Sequence, residues 1–310
     1  MPKKEDFAPL TNFLPPFAAL RAFEAMHRLG GVRAAAESLS LHHAVVSRHI
    51  KHLEDWLGTS LVVRTSQKLT LTEESERYHA RISAAIAEIA LATRELAEGQ
   101  QQRRLHVWCE PGLSIQWLSQ HLDAFERKFP AHQLELKLSE VPANLHTHEA
   151  DADIRYHRDS DPVGPGGKGL KVQILARPEL MPVAAPALAR KLGKIGALSE
   201  FLHLPLLHGG PDQAEWRDWL TLNGVDAPAR LPGTICWHAH MGIAAARLSR
   251  GILLASRFLL QQDLESGSLV ALDVPETVPA AIGGYVLTAR EDRWSLPALV
   301  AVRRFLVDRM

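Results

Sequence analysis

In the segment "LPPFAALRAFEAMHRLG", Phe17, Ala19, Leu20, Phe23 and Leu29 recur on a helical period, between a Pro-Pro start and a Gly30-Gly31 stop. This spacing predicts a first helix of about four turns. The alanine-rich run "VRAAAESL" predicts a short second helix, and Ser40-Leu41 turn the chain into a third. There Val46, Ile50, Leu53 and Leu57 step by four, three and four positions, a single buried stripe that fixes which side chains point outward. After Gly58, "SLVVRT" and "KLTLT" are β-rich runs separated by "SQ", the pattern of a two-stranded hairpin. Three helices followed by a hairpin predict a winged helix-turn-helix over residues 13–72.

From Glu73 to about Gln100 the first glycine is Gly99 and no proline occurs, while Ile82, Ile86, Ile89, Thr93 and Leu96 repeat at four-three spacing. That is a coiled-coil seam about two heptads long. A helix packed on its own domain would carry the same face. The polar "EGQQQRR" beyond it reads as a linker, so residues 73–100 are expected to project as a dimerisation helix through Ile82, Ile86, Ile89 and Leu96.

From Arg104 onward strand-like and helical runs alternate: "LHVWC", "SIQWLSQHLDAFERKF", "QLELKLSEV", "ADIRY". Such alternation predicts a mostly parallel sheet covered by helices. After the Gly/Pro-rich "DSDPVGPGGKG", the strands "LKVQILA" and "ELMPVAA" lead into a second α/β unit running through "LPLLHGG", "EWRDWLTLNG", "GTICWH", "GIAAARLSRGILLAS" and "GSLVALD". The tail from "IGGYVLTAR" adds a strand and a closing helix. Crossovers near residues 175 and 278 would divide residues 104–310 into lobe I (104–175 and 279–310) and lobe II (176–278), with a cleft between. The expected fold class is α/β multidomain: a winged helix-turn-helix, a long linker helix and a two-lobed α/β domain.

Composition is consistent with this plan. At 310 residues and 46% hydrophobic, the chain exceeds one core and can fill several. No run approaches the roughly eighteen apolar residues of a membrane span, and Met1 to Asp6 lack a signal-peptide apolar segment, so a cytoplasmic protein with no membrane partner is expected. Two cysteines, Cys109 and Cys236, cannot form a disulfide framework. Basic and acidic residues balance at 35 each, yet residues 1–72 hold nine basic against six acidic, with five of the sixteen histidines. The asymmetry permits a polyanion partner without establishing one. The chain has no G-x-S-x-G, no H-E-x-x-H, no phosphate loop and no paired catalytic carboxylates, which argues against an enzyme, and nothing calls for a cofactor.

Four histidines, at 42, 43, 49 and 52, crowd the third helix and suggest a metal site, a pH switch or a reading head. His43 and His52, nine positions apart, lie on opposite sides of a helix. His42 and His49 share a side but sit roughly 10 Å apart along the axis, too far for ligands about 2 Å from one ion. His49 and His52 alone would make a two-ligand site lacking a cysteine or carboxylate, so no metal is expected here. With the stripe inward, Ala44, Ser47, Arg48, Lys51 and His52 take the outward half and His43 its amino-terminal flank. Histidine can donate to or accept from a base edge, while Arg48 and Lys51 suit phosphates. A solvated helix face fits the same pattern, and charge and periodicity favour neither reading.

Taken together, "LRAFEA", "AAESL", "AVVSRHIKHLEDWLG" and "LTLT" resemble the amino-terminal domain of LysR-type transcriptional regulators, especially the glycine-cleavage and β-lactamase regulator subgroup. "FERKFP", "ADIRY", "LMPVAAPALA" and "GILLASRFLLQQDLESGSLV" extend the likeness more weakly along the chain. The resemblance implies a homodimer or homotetramer on double-stranded DNA, contact with RNA polymerase if it activates, and a small-molecule effector held between lobes like those of periplasmic binding proteins. It also implies a reading head at His42, His43, Ala44, Ser47 and Arg48, with Arg33, Lys51, Arg64 and Lys68 as a basic set. Where the family has Thr-Gln-Ser, this chain has His42, His43 and Ala44. Histidine cannot make the two-pronged pair that glutamine makes with adenine, so a different operator is expected, or a member that has lost ordinary operator binding.

In such a domain "CEPGLS" begins a helix whose amino end faces the cleft, which brings Glu110, Pro111, Gly112 and Ser114 to the mouth. A carboxylate there would repel anions and favour an amine, a guanidinium or a polar neutral molecule, unless Glu110 caps the helix itself. Arg155 and Tyr156 end "ADIRY", His208 ends a second-lobe strand, and alternation would place Cys236, His238 and His240 on one face. With Cys109 and Glu110 opposite, a metal or redox sensor can be drawn. Buried cysteines and pocket histidines are the plainer expectation. A solute-binding protein would account for residues 104–310 but would need export and leave the first hundred residues idle.

Overall fold

Residues that favour helix ends punctuate the amino-terminal region. Helix α1 (Phe17–Arg28) follows Pro16, α2 (Val32–Ser38) follows Gly31, and α3 (His43–Leu57) runs from His42 to Gly58, whose φ of 68° is the left-handed stop that glycine adopts without cost. The computed structural model describes residues 13–64, 69–98, 104–275, 277–278 and 280–310. The chain divides into two compact units, the first reaching Ala97 and the second holding two five-stranded sheets.

In the first unit Ala19, Leu20, Ala22, Phe23, Ala25 and Met26 of α1 pack on Ala35 and Ala36 of α2 and on Val46, Ile50 and Leu53 of α3. The small alanines let the helices approach, while each large apolar side chain contributes about 1.5–3 kcal/mol by leaving water. Phe17 and Leu29, expected on the inner face, are exposed, because α1 turns its Ala22-Ala25-Met26 edge inward instead. Strands β1 (Val62–Arg64) and β2 (Leu69–Leu71) pair antiparallel, Val62 opposite Leu71. Lys68 lies outside the described residues. Glu54 fixes the hairpin to α3: its Oε1 accepts the Leu61 and Val62 N–H groups at 2.8 and 3.2 Å.

Helix α4 (Glu73–Glu98) starts where Thr72 Oγ1 accepts the Ser75 N–H at 3.1 Å. Its apolar seam does two jobs rather than one. Ile82 and Ile86, expected at a dimer seam, pack with Tyr78 against the core of their own domain. Beyond them Ile89 and Leu96 are 52% and 87% exposed, and Thr93 bonds back to the Ile89 carbonyl at 2.8 Å. The four-three repeat outlasts the domain surface it covers.

The second unit begins with β3 (Arg104–Cys109), the short α5 (Pro111–Leu113), a π-helical stretch over Ser114–Leu118 and α6 (Ser119–Lys128). Then come β4 (Gln133–Leu138), β5 (Ala152–Arg158), β6 (Leu170–Ala176), β7 (Leu180–Ala184), α7 (Pro186–Leu192), β8 (Leu206–His208) and α8 (Ala214–Leu222). β9 (Gly233–Ile235), α9 (Ala239–Arg247), β10 (Ile252–Ser256), α10 (Gln261–Ser266), β11 (Val270–Ala271), β12 (Gly283–Arg290) and α11 (Pro297–Arg309) complete it.

Neither sheet is mostly parallel, as alternation alone predicts. In the order β4-β3-β5-β12-β6, β3 runs parallel to its neighbours, but β12 lies antiparallel between β5 and β6 because it returns from the other sheet. In β11-β7-β10-β8-β9, β8 is parallel to β9 and β10, while β7 opposes β10. Phe125, Phe305, Leu105 and Ile154 centre the first core, and Phe201, Trp216 and Trp219 the second. Leu259 reaches back into the first core and Ile282 packs in the second, so the lobes exchange residues at their crossovers.

Candidate functional site

The buried stripe of α3 leaves His43, Ala44, Arg48, Lys51 and His52 exposed and Ser47 half-buried. His42 lies just before the helix and caps it. Its Nδ1 accepts the Ala44 N–H at 3.4 Å, and its ring stands 4.3 Å from that of His43. An accepting ring nitrogen carries no proton, so this tautomer leaves Nε2–H as a donor at the exposed amino end of α3. An open groove beside that face is lined by Ser47, Arg48, Lys51, Thr59 and Ser60. Arg33 is exposed on α2, and Arg64 is the last residue of β1.

Between the two sheets of the second unit lies a cavity of about 350 Å³. Glu110, Pro111, Gly112, Tyr156 and Tyr285 line it from one side, and His208, Glu215, Cys236, Trp237 and His238 from the other. Glu110 does not cap α5; its carboxylate accepts the Tyr156 N–H at 3.0 Å. Burial outweighs that bond and the nearby Arg155 charge, and pushes the carboxyl up to about 7. Glu215 is likewise raised by burial, against the Arg158 charge and the Gly209 amide that it accepts. His208 is fully buried, its Nε2 3.0 Å from the Pro232 carbonyl and its Nδ1 without a hydrogen-bond partner. Burial lowers its pKa, so the ring is neutral, with Nε2 donating and Nδ1 a bare acceptor. Tyr156 and Tyr285 are cross-strand partners whose rings meet edge to face at 5.2 Å, and the Tyr156 hydroxyl also lacks a partner.

Several expected pocket residues stand elsewhere. Arg155 faces away from the cleft, since neighbours on a strand point to opposite sides and Tyr156 takes the inner one. Its guanidinium is committed to Asp153 at 2.8 and 3.1 Å and to the Ser139, Glu140 and Val141 carbonyls. Ser114 is buried and does not line the cleft. β9 ends at Ile235 and Trp237 takes a positive φ of 56°, so Cys236, His238 and His240 share no strand face. Cys236 and His238 reach the cleft, while His240 stacks on His238 with centroids 5.5 Å apart and stays outside it. Both thiols are free and buried, and burial raises Cys109 to about 12, far from a reactive thiolate. Among the described residues no three His, Cys, Asp or Glu side chains converge as a metal site, so the drawn sensor has no ligand set.

Polar contacts tie the two sides together. His238 Nε2 lies 2.7 Å from Glu140 Oε1, Ser160 Oγ donates to Asp218 at 2.6 Å, and Arg158 bridges Asp161 and Asp212, each at 3.0 Å. Gly112 of α5 meets Ala239 of α9 so closely that an added Cβ would lie 3.0 Å from the alanine methyl.

Two family models match the chain along these same divisions: "Bacterial regulatory helix-turn-helix protein, lysR family" over residues 17–76, and "LysR substrate binding domain" over residues 98–310. The chain belongs to the LysR family. LysR proteins are transcriptional regulators with a helix-turn-helix DNA-binding domain and a substrate-binding domain, and effector-responsive regulation is typical of them. This LysR chain is 29% identical over 301 residues to the glycine cleavage system transcriptional activator of Escherichia coli (strain K12), covering 96% of its own length and 95% of the relative's. It is 30% identical over 263 residues to the HTH-type transcriptional regulator TrpI of Pseudomonas aeruginosa, covering 84% and 88%. The full-length structure of AphB, a virulence activator of Vibrio cholerae, shares the fold with a TM-score of 0.56 at 21% identity, over 94% of this chain and 98% of that one.

Sequence reasoning missed several cleft residues of the LysR chain, Glu215, Tyr285 and Trp237 among them. Glu215 sits in the first turn of α8, where a carboxylate reads as favourable to the helix dipole rather than as a pocket wall. Tyr285 belongs to a strand that joins the cleft only because β12 returns beside β5. Trp237 is presented by a backbone turn that no periodicity announces.

Proposed function

We propose that this LysR regulator reads operator DNA with the exposed face of α3 and takes its effector into the cavity between the two sheets. His43, Ala44 and Ser47 approach base edges, His42 presents Nε2 beside them, and Arg33, Arg48, Lys51, Arg64 and Lys68 contact phosphates. The observation that supports this reading is the inward stripe of Val46, Ile50 and Leu53, which leaves His43, Ala44, Arg48 and Lys51 of α3 exposed to solvent. The chain acts by binding rather than catalysis, works in the cytoplasm where the DNA is, and contacts RNA polymerase if it activates. Its copies pair through the distal face of α4, Ile89, Thr93 and Leu96, as a dimer or a tetramer of such dimers. The effector contacts Glu110, Pro111, Gly112, Tyr156, His208 and His238.

A mobility-shift titration of the full chain on its own upstream DNA, repeated at several salt concentrations, tests the DNA-reading half. Specific binding that weakens steeply with salt is expected. No binding to any DNA would identify a member that works only through protein partners.

A further inference from the structure

Several acceptors line the cleft. Glu110 comes from one lobe and Glu215 from the other, both line the same cavity, and neither has an ion-pair partner within 4 Å among the described residues. Of the two nearby cations, Arg155 is committed to Asp153 and three carbonyls, and Arg158, which lines the cavity, is paired with Asp161 and Asp212. His238 is engaged with Glu140. Independently, His208 is 1% exposed and lines the cavity with Nδ1 unpartnered. Because its Nε2 faces the Pro232 carbonyl, which can only accept, Nε2 holds the proton and Nδ1 is a lone-pair acceptor. A buried acceptor left unmatched is costly, and facing carboxylates repel, so the cleft suits a ligand rich in N–H donors and positive charge.

Resting on the effector-cleft reading above, we propose that the ligand is a small organic cation, a primary ammonium or amidinium on a compact apolar body, whose N–H groups are shared between Glu110 and Glu215. A volume of about 350 Å³ is at the small end for ligand sites. Tyr156, Tyr285 and the exposed Trp237 supply flat walls that suit an apolar body and attract a cation through their ring faces. Since the two carboxylates stand on opposite lobes, a cation between them replaces their repulsion with two attractions and draws the lobes together. An anionic ligand would meet the reverse. Ligand charge is thus the feature that decides entry and closure.

Benzamidine, benzamide and benzoate share one shape and differ in charge, so titration calorimetry of each into the full chain at pH 8 is the direct test. Benzamidine should bind at least tenfold more tightly than benzamide, with benzoate showing no binding. Glu110→Gln and Glu215→Gln should each weaken benzamidine at least tenfold while unfolding remains a single cooperative transition, and Glu126→Gln, on the exposed face of α6, should leave benzamidine binding unaltered. Benzamide or benzoate binding as tightly as benzamidine, benzamidine binding untouched by both glutamine variants, or no probe binding at all would overturn the proposal. Gly112→Val, which fills the cleft wall against Ala239, separates this from failure of the cleft itself. Loss of every bound probe in that variant upholds the cavity as the site, and probe binding that survives it overturns the cleft reading and the proposal with it.

Discussion

His238, the residue before α9, places Nε2 2.7 Å from Glu140 Oε1 in the loop after β4, and so joins the two lobes at the cleft mouth. Both side chains keep contact with water, at 27% and 62% exposure, so the pair contributes about 0–1 kcal/mol. Glu140→Gln should therefore lower unfolding stability by less than about 1 kcal/mol in urea. Amide exchange over residues 110–113 and 238–242 should nonetheless quicken several-fold, since the contact closes the mouth rather than holding the fold. Unchanged exchange there would remove the latch from the account.

Glu110 predicts a pH dependence of definite sign. Its carboxyl is raised by burial from an ordinary 4.5 to about 7, so the folded chain holds a proton that the unfolded chain releases. Stability from this group is full below 4.5, falls as pH rises from 4.5 to 7, and stays reduced above 7. Glu110→Gln should consequently stabilise the ligand-free protein at pH 8 by at most about 3 kcal/mol and be close to neutral at pH 4.5. Equal effects at both values, measured by denaturant unfolding, would show that the carboxyl ionises freely.

The same proton competes with a cationic ligand. Among the groups whose charge Glu110 feels are Glu215 across the cavity and Asp153 and Arg155 on the other face of β5, with Tyr156, Tyr285 and Cys109 packed nearby, and of these only Arg155 is a fixed cation. Benzamidine affinity should rise with pH through about 7 and then level off, and Glu110→Gln should flatten the profile.

Glu54 ties α3 to the hairpin. Its Oε1 accepts both the Leu61 and Val62 amides, charge-assisted bonds at partly buried groups. Glu54→Ala should destabilise the winged domain by about 1–3 kcal/mol, the cost of leaving these donors unmatched. Glu54→Gln keeps an acceptor and should recover most of the loss, both being read by thermal unfolding.

Helix spacing and strand alternation made the order of elements legible, because both periods follow from which face must leave water. The stripe of α3 and the crossovers at the ends of β6 and β11 are visible in the residues themselves. Side-chain commitments are less so. Arg155 and Tyr156 are adjacent in a strand, and alternation says that only one can face the cleft but not which. Ile82 and Ile86 obey the same repeat as Ile89 and Leu96, yet the domain core lies beneath only the first pair. The His42 cap and the Trp237 turn depend on backbone angles that single residues do not announce.

If α3 reads DNA as proposed, the effects of charge and of base reading should separate. Arg48→Ala should weaken binding to all duplexes alike and reduce the salt slope by about one, whereas His43→Gln should change the preferred sequence. His42→Ala removes a cap made at 3.4 Å and should cost no more than about 1 kcal/mol of stability, with His42→Asn restoring the cap but not the Nε2 donor.

The central claim, that α3 reads DNA sequence from this face, is tested most directly by binding selection on a random duplex pool with the full chain, the wild type and His43→Gln side by side. An enriched two-fold symmetric motif is expected for the wild type, and a different base preference within each half-site for the variant. Recovery of no enriched sequence by the wild type, or of an identical motif by both, would contradict it.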